Sequence, residues 1–363
     1  DQDWIFIDQR GAGLGRPSMD CPGAQLTDAG PPSAEDAARI NACLKELARS
    51  GVDLSRYNAV EVALDVEDLR RALMLPKIDL FGGSYGTRIE AAIQTHAPEG
   101  VRVVVQDSPW PPEGGWAAGT PEQVSAAVAL VLRKCATQAD CAARYPDVAA
   151  RFTETARRWM AGPQVIGGKT YTHEDLASFL MEATYSNGGV RRLPADLARI
   201  SAGDLAPIDE VMAERSYYDE GQHMAHLCRE ELPFESAGRV QAGAGADPVA
   251  QLLVTSLNRL FDVCRGLSIA PAAPIENQPV RTAIPTLFLA AEIDPGCPPH
   301  LTQVAAAGYS ASQVVIVANA THGVTGNNSC ARAMARAFFA DPTRPLDRSC
   351  LPAADTPLPF DLD

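Results

Sequence analysis

A chain of 363 residues with 46% hydrophobic content has material for one large core and a smaller subdomain. Its formal net charge of −14 disfavours nucleic acid and anionic membrane surfaces as partners, because both are held through basic patches, while a cationic ligand end such as a peptide amine is compatible with it. No apolar run reaches the roughly 18 residues needed to cross a bilayer, so no membrane span is expected, and nine cysteines point to an oxidising compartment.

In chain order, the first informative stretch is Ile78-Asp-Leu-Phe-Gly-Gly-Ser-Tyr-Gly-Thr87. It reads as a short strand entering a G-x-S-x-G turn, with a helix from Arg88 onward, which is the nucleophile elbow of an α/β-hydrolase. Side chains at Gly82 and Gly86 are expected to collide with neighbouring backbone at so sharp a turn. Ser84 is the candidate nucleophile. Val101-Arg-Val-Val-Val reads as the next strand. Thr120-Pro-Glu-Gln predicts a capped helix start continuing through Val124–Cys135, and Thr172-His-Glu-Asp predicts another. The Gly/Ala/Pro-rich segments 237–248 and 269–279 read as a flexible loop and a linker. Ile284-Pro-Thr-Leu-Phe-Leu-Ala-Ala is a buried strand that ends at Glu292-Ile-Asp294-Pro-Gly, and Val314-Val-Ile-Val-Ala is a strand followed by Asn319-Ala-Thr-His322-Gly.

A serine hydroxyl needs a histidine to take its proton and an acid to orient that histidine, and in this fold they follow in the order Ser, Asp or Glu, His. His322 is the expected general base, since His96, His173 and His300 lie in polar or proline-flanked settings that suit a solvated surface. Asp294 is the expected acid, with Glu292 and Asp107 as competitors. The Tyr85 N–H is the expected oxyanion donor. In the stretch His223-Met-Ala-His226-Leu-Cys228-Arg-Glu230-Glu231 the residue types could ligate a metal, but the spacing matches no zinc signature, so neither metal nor cofactor is expected. Glu230 or Glu231 either faces substrate, pairing with a peptide amine, or forms a solvated acidic helix end.

Together with Asp8-Gln-Arg-Gly-Ala-Gly, Tyr57-Asn-Ala-Val-Glu-Val-Ala-Leu-Asp-Val-Glu-Asp-Leu-Arg, Cys228-Arg-Glu-Glu-Leu-Pro-Phe and Asp294-Pro-Gly-Cys-Pro-Pro, the elbow resembles the prolyl and tripeptidyl aminopeptidase (TAP-like) serine peptidase branch of the α/β-hydrolases, over nearly the whole chain. The resemblance implies a secreted or cell-envelope (periplasmic or extracellular) serine hydrolase that releases residues from peptide N-termini, with lid acids that hold the amine. Related members act as esterases or amidases on small molecules. A non-catalytic hydrolase-fold binding protein is a third reading, disfavoured by an intact Ser, Asp and His set. The sequence departs from the family at Cys297, where threonine is usual, and at Thr321, where glycine is usual. Local order and the resemblance favour the pairs Cys21–Cys43, Cys135–Cys141, Cys228–Cys264 and Cys330–Cys350, leaving Cys297 as a packed thiol near the acid loop.

The resemblance also implies a His-Gly-Gly-Pro-Gly-like loop and further strands upstream of Asp1-Gln-Asp-Trp-Ile-Phe-Ile-Asp8, the latter being the fourth strand of the family's sheet. None is present in this sequence. An N-terminal segment is therefore expected to be missing, and with it the strand between those at Ile5 and Leu80 and half of the oxyanion hole. The expected architecture is a mostly parallel α/β-hydrolase sheet with an inserted, mainly helical lid: hydrolase core over 1–115, lid over 116–275, core again over 276–363. The expected partner is a peptide or small acyl substrate.

Overall fold

The structure, a computed structural model, describes residues 3–23, 32–214 and 219–362. In chain order its principal elements are α1 (Ala34–Arg49), α2 (Ala59–Ala72), β1 (Ile78–Gly83), α3 (Tyr85–His96), β2 (Val101–Asp107), α4 (Trp116–Ala136), the hairpin β3 (Gln164–Ile166) and β4 (Lys169–Tyr171), β5 (Thr286–Ala291) and β6 (Ser312–Val317). Further helices, from Val148–Ala161 to Val254–Cys264, complete the insert between β2 and β5.

The four longer strands form one parallel sheet in the order β1-β2-β5-β6. Their side chains alternate between faces, as pleating requires. On one face Val103, Val105, Leu287, Leu289, Val315 and Val317 pack on Met334 and Phe338 of the helix Ser329–Ala340. On the other, Leu80 and Val104 pack on Val62 of α2 and on Ile89 and Ile93 of α3. Covering both faces explains why β5 is wholly buried and apolar at every position after Thr286. The sheet is thus parallel throughout and covered by helices on both faces.

The insert has the larger apolar core, and that core continues into α1 through Ile40 and Leu44. Although α1 lies within the first 115 residues, it packs on the helix Val254–Cys264, where the Asn41 amide donates to the Val263 carbonyl at 2.6 Å. All four expected cysteine pairs are disulfide-bonded, and Cys297 is free and buried.

Two local expectations are corrected. Helix α4 starts at Trp116 rather than Thr120, because the Glu235 carboxylate accepts the Ala117 and Ala118 N–H groups at 2.9 and 2.6 Å and caps the helix from the far side of the insert. Thr120 instead donates back to the Trp116 carbonyl. Segment 237–248 is no flexible loop: Ala237–Ala244 is helical, capped by Ser236, with Val240 and Ala244 buried. Its small residues serve close packing, since a Cβ on Gly243 would lie 2.1 Å from the Ala118 carbonyl oxygen of α4. The expected helix start at Thr172 is present, with Thr172 and Asp175 forming a capping box.

At the sheet edge, residues 3–8 are not a strand; Asp1 and Gln2 lie outside the described residues. Among the described residues β1 has β2 on one side and no strand on the other. Trp4 lies edge-on to Phe81 of β1 and to Phe339, with ring centroids 6.1 and 6.2 Å away, beside a cleft also lined by Arg102, Arg332 and Arg336. The strands expected at Ile5 and Leu80 are therefore not bonded to one another.

Candidate active site

Ser84 closes β1 and opens α3 with φ 53° and ψ −124°, a conformation L-residues rarely adopt. Its N–H donates to the Asp107 carbonyl at 2.9 Å, and its own carbonyl accepts from the Thr87 N–H and hydroxyl, so backbone contacts on both sides hold the turn. Gly82 is needed there, since a Cβ would sit 2.8 Å from both the Gly86 carbonyl oxygen and the Glu90 carboxyl carbon. Gly86 is different: a Cβ on it meets nothing within 4 Å, so the expected collision occurs at only one of the two glycines.

Asp294 follows β5 and His322 follows β6, so both lie with Ser84 beyond the C-terminal ends of parallel strands, where α/β sheets gather their sites. His322 Nδ1 is 2.9 and 3.1 Å from the two Asp294 oxygens. A carboxylate only accepts, so Nδ1 carries the proton and Nε2 of the neutral ring is an acceptor. Asp294 is buried, and its Oδ1 also accepts the Gly296 and Cys297 N–H groups at 3.0 and 2.8 Å. The Tyr185 ring meets His322 edge to face at 4.9 Å, and the Thr321 hydroxyl donates to Asn187 at 2.9 Å, so the insert packs directly on the histidine loop. Those contacts join residues more than 130 positions apart, and no local pattern announced them.

The competing acids are engaged elsewhere. Asp107 accepts the Val324 and Thr325 N–H groups, each at 2.8 Å, and the Thr325 hydroxyl at 2.6 Å, while the neighbouring Ser108 hydroxyl accepts the Gly323 N–H. Glu292 pairs with Lys134 at 3.1 Å and accepts the Asn319 N–H.

Burial, reinforced by the charge of Asp294 and opposed by the Ser84 side chain, pushes the Cys297 thiol well above its usual range. Tyr85, the residue after the serine, stacks on His226 at 4.0 Å between ring centroids, and its hydroxyl donates to Glu230 at 3.4 Å.

Glu230 and Glu231 are not a solvated helix end, for both are 1% exposed. They lie on a π-helical turn, Leu227–Glu231, and both carboxylates face Arg88, one turn beyond Ser84 on α3. Arg88 Nε donates to Glu230 at 3.1 Å, its Nη1 contacts Glu231, and Glu230 also accepts the Ala59 N–H. One guanidinium thus serves two carboxylates. Burial raises both, opposed by Arg88, and Glu231 is pushed up to about 8. His223 and His226 meet edge to face with ring centroids 4.8 Å apart, with burial lowering both, His223 to about 4; Cys228 is bonded to Cys264, so this stretch offers no thiolate. An arginine one turn after an elbow, on the helix that has to pack against the sheet, was the sequence signal that could have exposed the cluster.

Residues 250–350, the part of the chain carrying Asp294 and His322, match the family described as TAP-like protein, Abhydrolase_4. Over that stretch the chain is similar to this family. No curated protein matches it. Among solved structures it is similar to a serine hydrolase from the polyaromatic-hydrocarbon-degrading bacterium Cycloclasticus zankles, with 13% identity, 93% of this chain and 78% of that one covered, and a TM-score of 0.35. A hydrolase from Pseudomonas aeruginosa PA01 has 17% identity over 78% and 72% of the two chains, TM-score 0.35. An esterase from Exiguobacterium antarcticum has 12% identity over 80% and 76%, TM-score 0.35.

Proposed function

We propose that this chain is a TAP-like serine hydrolase that cleaves acyl bonds through a serine-bound intermediate and that its substrates are peptides opened at the N-terminus. The observation that carries the reading is the His322–Asp294 pair together with a serine held in the strained elbow conformation at the C-terminal edge of the same sheet. In this reading Ser84 attacks the carbonyl carbon, His322 Nε2 takes the hydroxyl proton, and Asp294 keeps the Nδ1 proton in place and stabilises the imidazolium. The Tyr85 N–H donates to the oxyanion. His322 then protonates the leaving amine and activates the water that releases the acyl group.

For the amine end, Glu231 is the acid of choice. With Arg88 balancing one negative charge, Glu231 holds a proton near neutral pH and can release it as a substrate ammonium enters. The same cluster supports a second reading, a carboxylesterase or amidase on small molecules, because both acids already have a buried partner. The open side of β1 would take a further strand of polypeptide carrying the second oxyanion donor. Four disulfides, and the absence of any helix long and apolar enough to cross a membrane among the described residues, fit a secreted or cell-envelope protein.

The test is turnover of an aminoacyl anilide, the same anilide with a blocked amine, and a simple ester, with fluorophosphonate labelling alongside. The exopeptidase reading expects the free-amine anilide to be preferred and the label to vanish in Ser84→Ala. Equal use of the blocked anilide would favour the second reading, and labelling that persisted in the variant would move the nucleophile elsewhere.

A further inference from the structure

The acid loop brings a third reactive group to the Asp294–His322 pair. One Asp294 oxygen, the Cys297 sulfur and one ring nitrogen of His322 all lie within 4.8 Å of one another. Two of the three come from one short loop whose shape is set by the Gly296 and Cys297 N–H groups donating to Asp294 Oδ1, so the carboxylate and the thiol are fixed relative to each other. All of the other eight cysteines are in disulfides, which makes Cys297 the single thiol of the chain.

We propose that Asp294, Cys297 and His322 form a site for a divalent cation of the zinc class, and that a bound ion shuts the hydrolase off. Sulfur, nitrogen and carboxylate oxygen are the ligand types such an ion takes, and three protein ligands plus a water complete its tetrahedron. Bond lengths of about 2.0 to 2.3 Å at tetrahedral angles set ligand atoms roughly 3.3 to 3.6 Å apart, so a closure of about an ångström brings the three into place. Magnesium and calcium are excluded, since they want six or more oxygen ligands and only one carboxylate is offered. On binding, the Cys297 S–H bond breaks and its proton leaves to solvent, the His322 Nδ1 proton is lost as the ring takes up a proton on Nε2 instead, and the sulfur and Nδ1 lone pairs form the bonds to the metal; nothing is oxidised. The imidazole and carboxylate held by the ion can no longer orient and carry a proton for Ser84. The inference uses the geometry of the trio and stands apart from the substrate class, because occupancy can be read without turnover.

The full chain, stripped with a chelator and dialysed, is titrated with Cd²⁺ while the ultraviolet thiolate-to-cadmium band is followed. Cys297→Ser and His322→Ala are titrated in parallel, and each variant's fold is checked by circular dichroism. The band should saturate at one Cd²⁺ per chain, be displaced by Zn²⁺ and not by Mg²⁺, be absent from Cys297→Ser, and need at least about tenfold more metal in His322→Ala. Ser84→Ala should keep the band, which separates the site from the hydrolytic reading. In the activity arm Zn²⁺ should inhibit reversibly, with EDTA restoring the rate, and Cys297→Ser, scored against its own metal-free rate, should need at least about tenfold more Zn²⁺. No thiolate band in the folded parent chain, or a band unchanged in His322→Ala, would overturn the proposal, as would zinc inhibition undiminished in Cys297→Ser.

Discussion

Asp107 and Asp294 are a matched pair by every coarse measure: each is a carboxylate 2% exposed, each stands at or just beyond the C-terminal end of a strand of the parallel sheet, and both lie close to the loop that bears His322. Their hydrogen-bond donors divide them. Asp294 takes two N–H groups from its own loop and turns its remaining surface to the imidazole. Asp107 spends both oxygens on Val324 and Thr325, so it anchors the start of the turn that follows the histidine. Burial and strand position nominate an acid, and the donors around it assign its work.

The sharpest way to break this comparison is to remove each charge in turn. Asp294→Asn should lower kcat by about 10⁴ with little change in the urea midpoint, because an amide cannot hold the imidazole tautomer. Asp107→Asn should show the reverse emphasis, costing about 2 to 3 kcal/mol of stability as its amide meets N–H groups that need an acceptor, with a rate loss well below that of Asp294→Asn. If Asp107→Asn were the more damaging to kcat and left stability intact, the two assignments would have to be exchanged.

A third buried acid extends the contrast to one balanced mainly by a shared guanidinium. Glu231 has a folded-state value near 8 against an ordinary 4.5, so the native chain keeps a proton that the unfolded chain has released. That contribution is complete below about pH 4.5 and is lost as pH rises through about 8, so stability should fall across this window. Glu231→Gln removes the ionisation, and urea midpoints measured at about pH 5 and about pH 8 should lie closer together than in the parent chain. A variant with the parent's full slope would mean that the proton sits elsewhere. The smallest effect is expected at Glu235, the acid with purely structural donors: Glu235→Ala should cost about 1 kcal/mol of stability by uncapping α4, read as a lower melting temperature.

What the sequence disclosed was local. The G-x-S-x-G turn, the strand preceding each candidate residue and the capping box at Thr172 are written within a few neighbouring residues, and a reader of patterns finds them. What it concealed is carried by partners far apart in the chain. The start of α4 depends on an acid some 118 positions away, the Ala237–Ala244 helix looked like a loop because its small residues answer to packing on α4, and Glu230 and Glu231 stood between a substrate-facing and a solvated reading until Arg88 was brought under them. The competition among Asp294, Glu292 and Asp107 was open in the sequence for the same reason, since only three-dimensional neighbours show where each carboxylate is spent.

Arg88 also bears on how anything reaches Ser84. Its guanidinium is sewn to Glu230 and Glu231 and, through the Pro112 carbonyl, to the end of the β2 loop, all out of contact with water. Lifting the π-helical turn away from α3 would strand charges in an apolar seam, at about 3 to 5 kcal/mol for one broken buried pair. This wall of the insert therefore moves as one piece with the nucleophile helix.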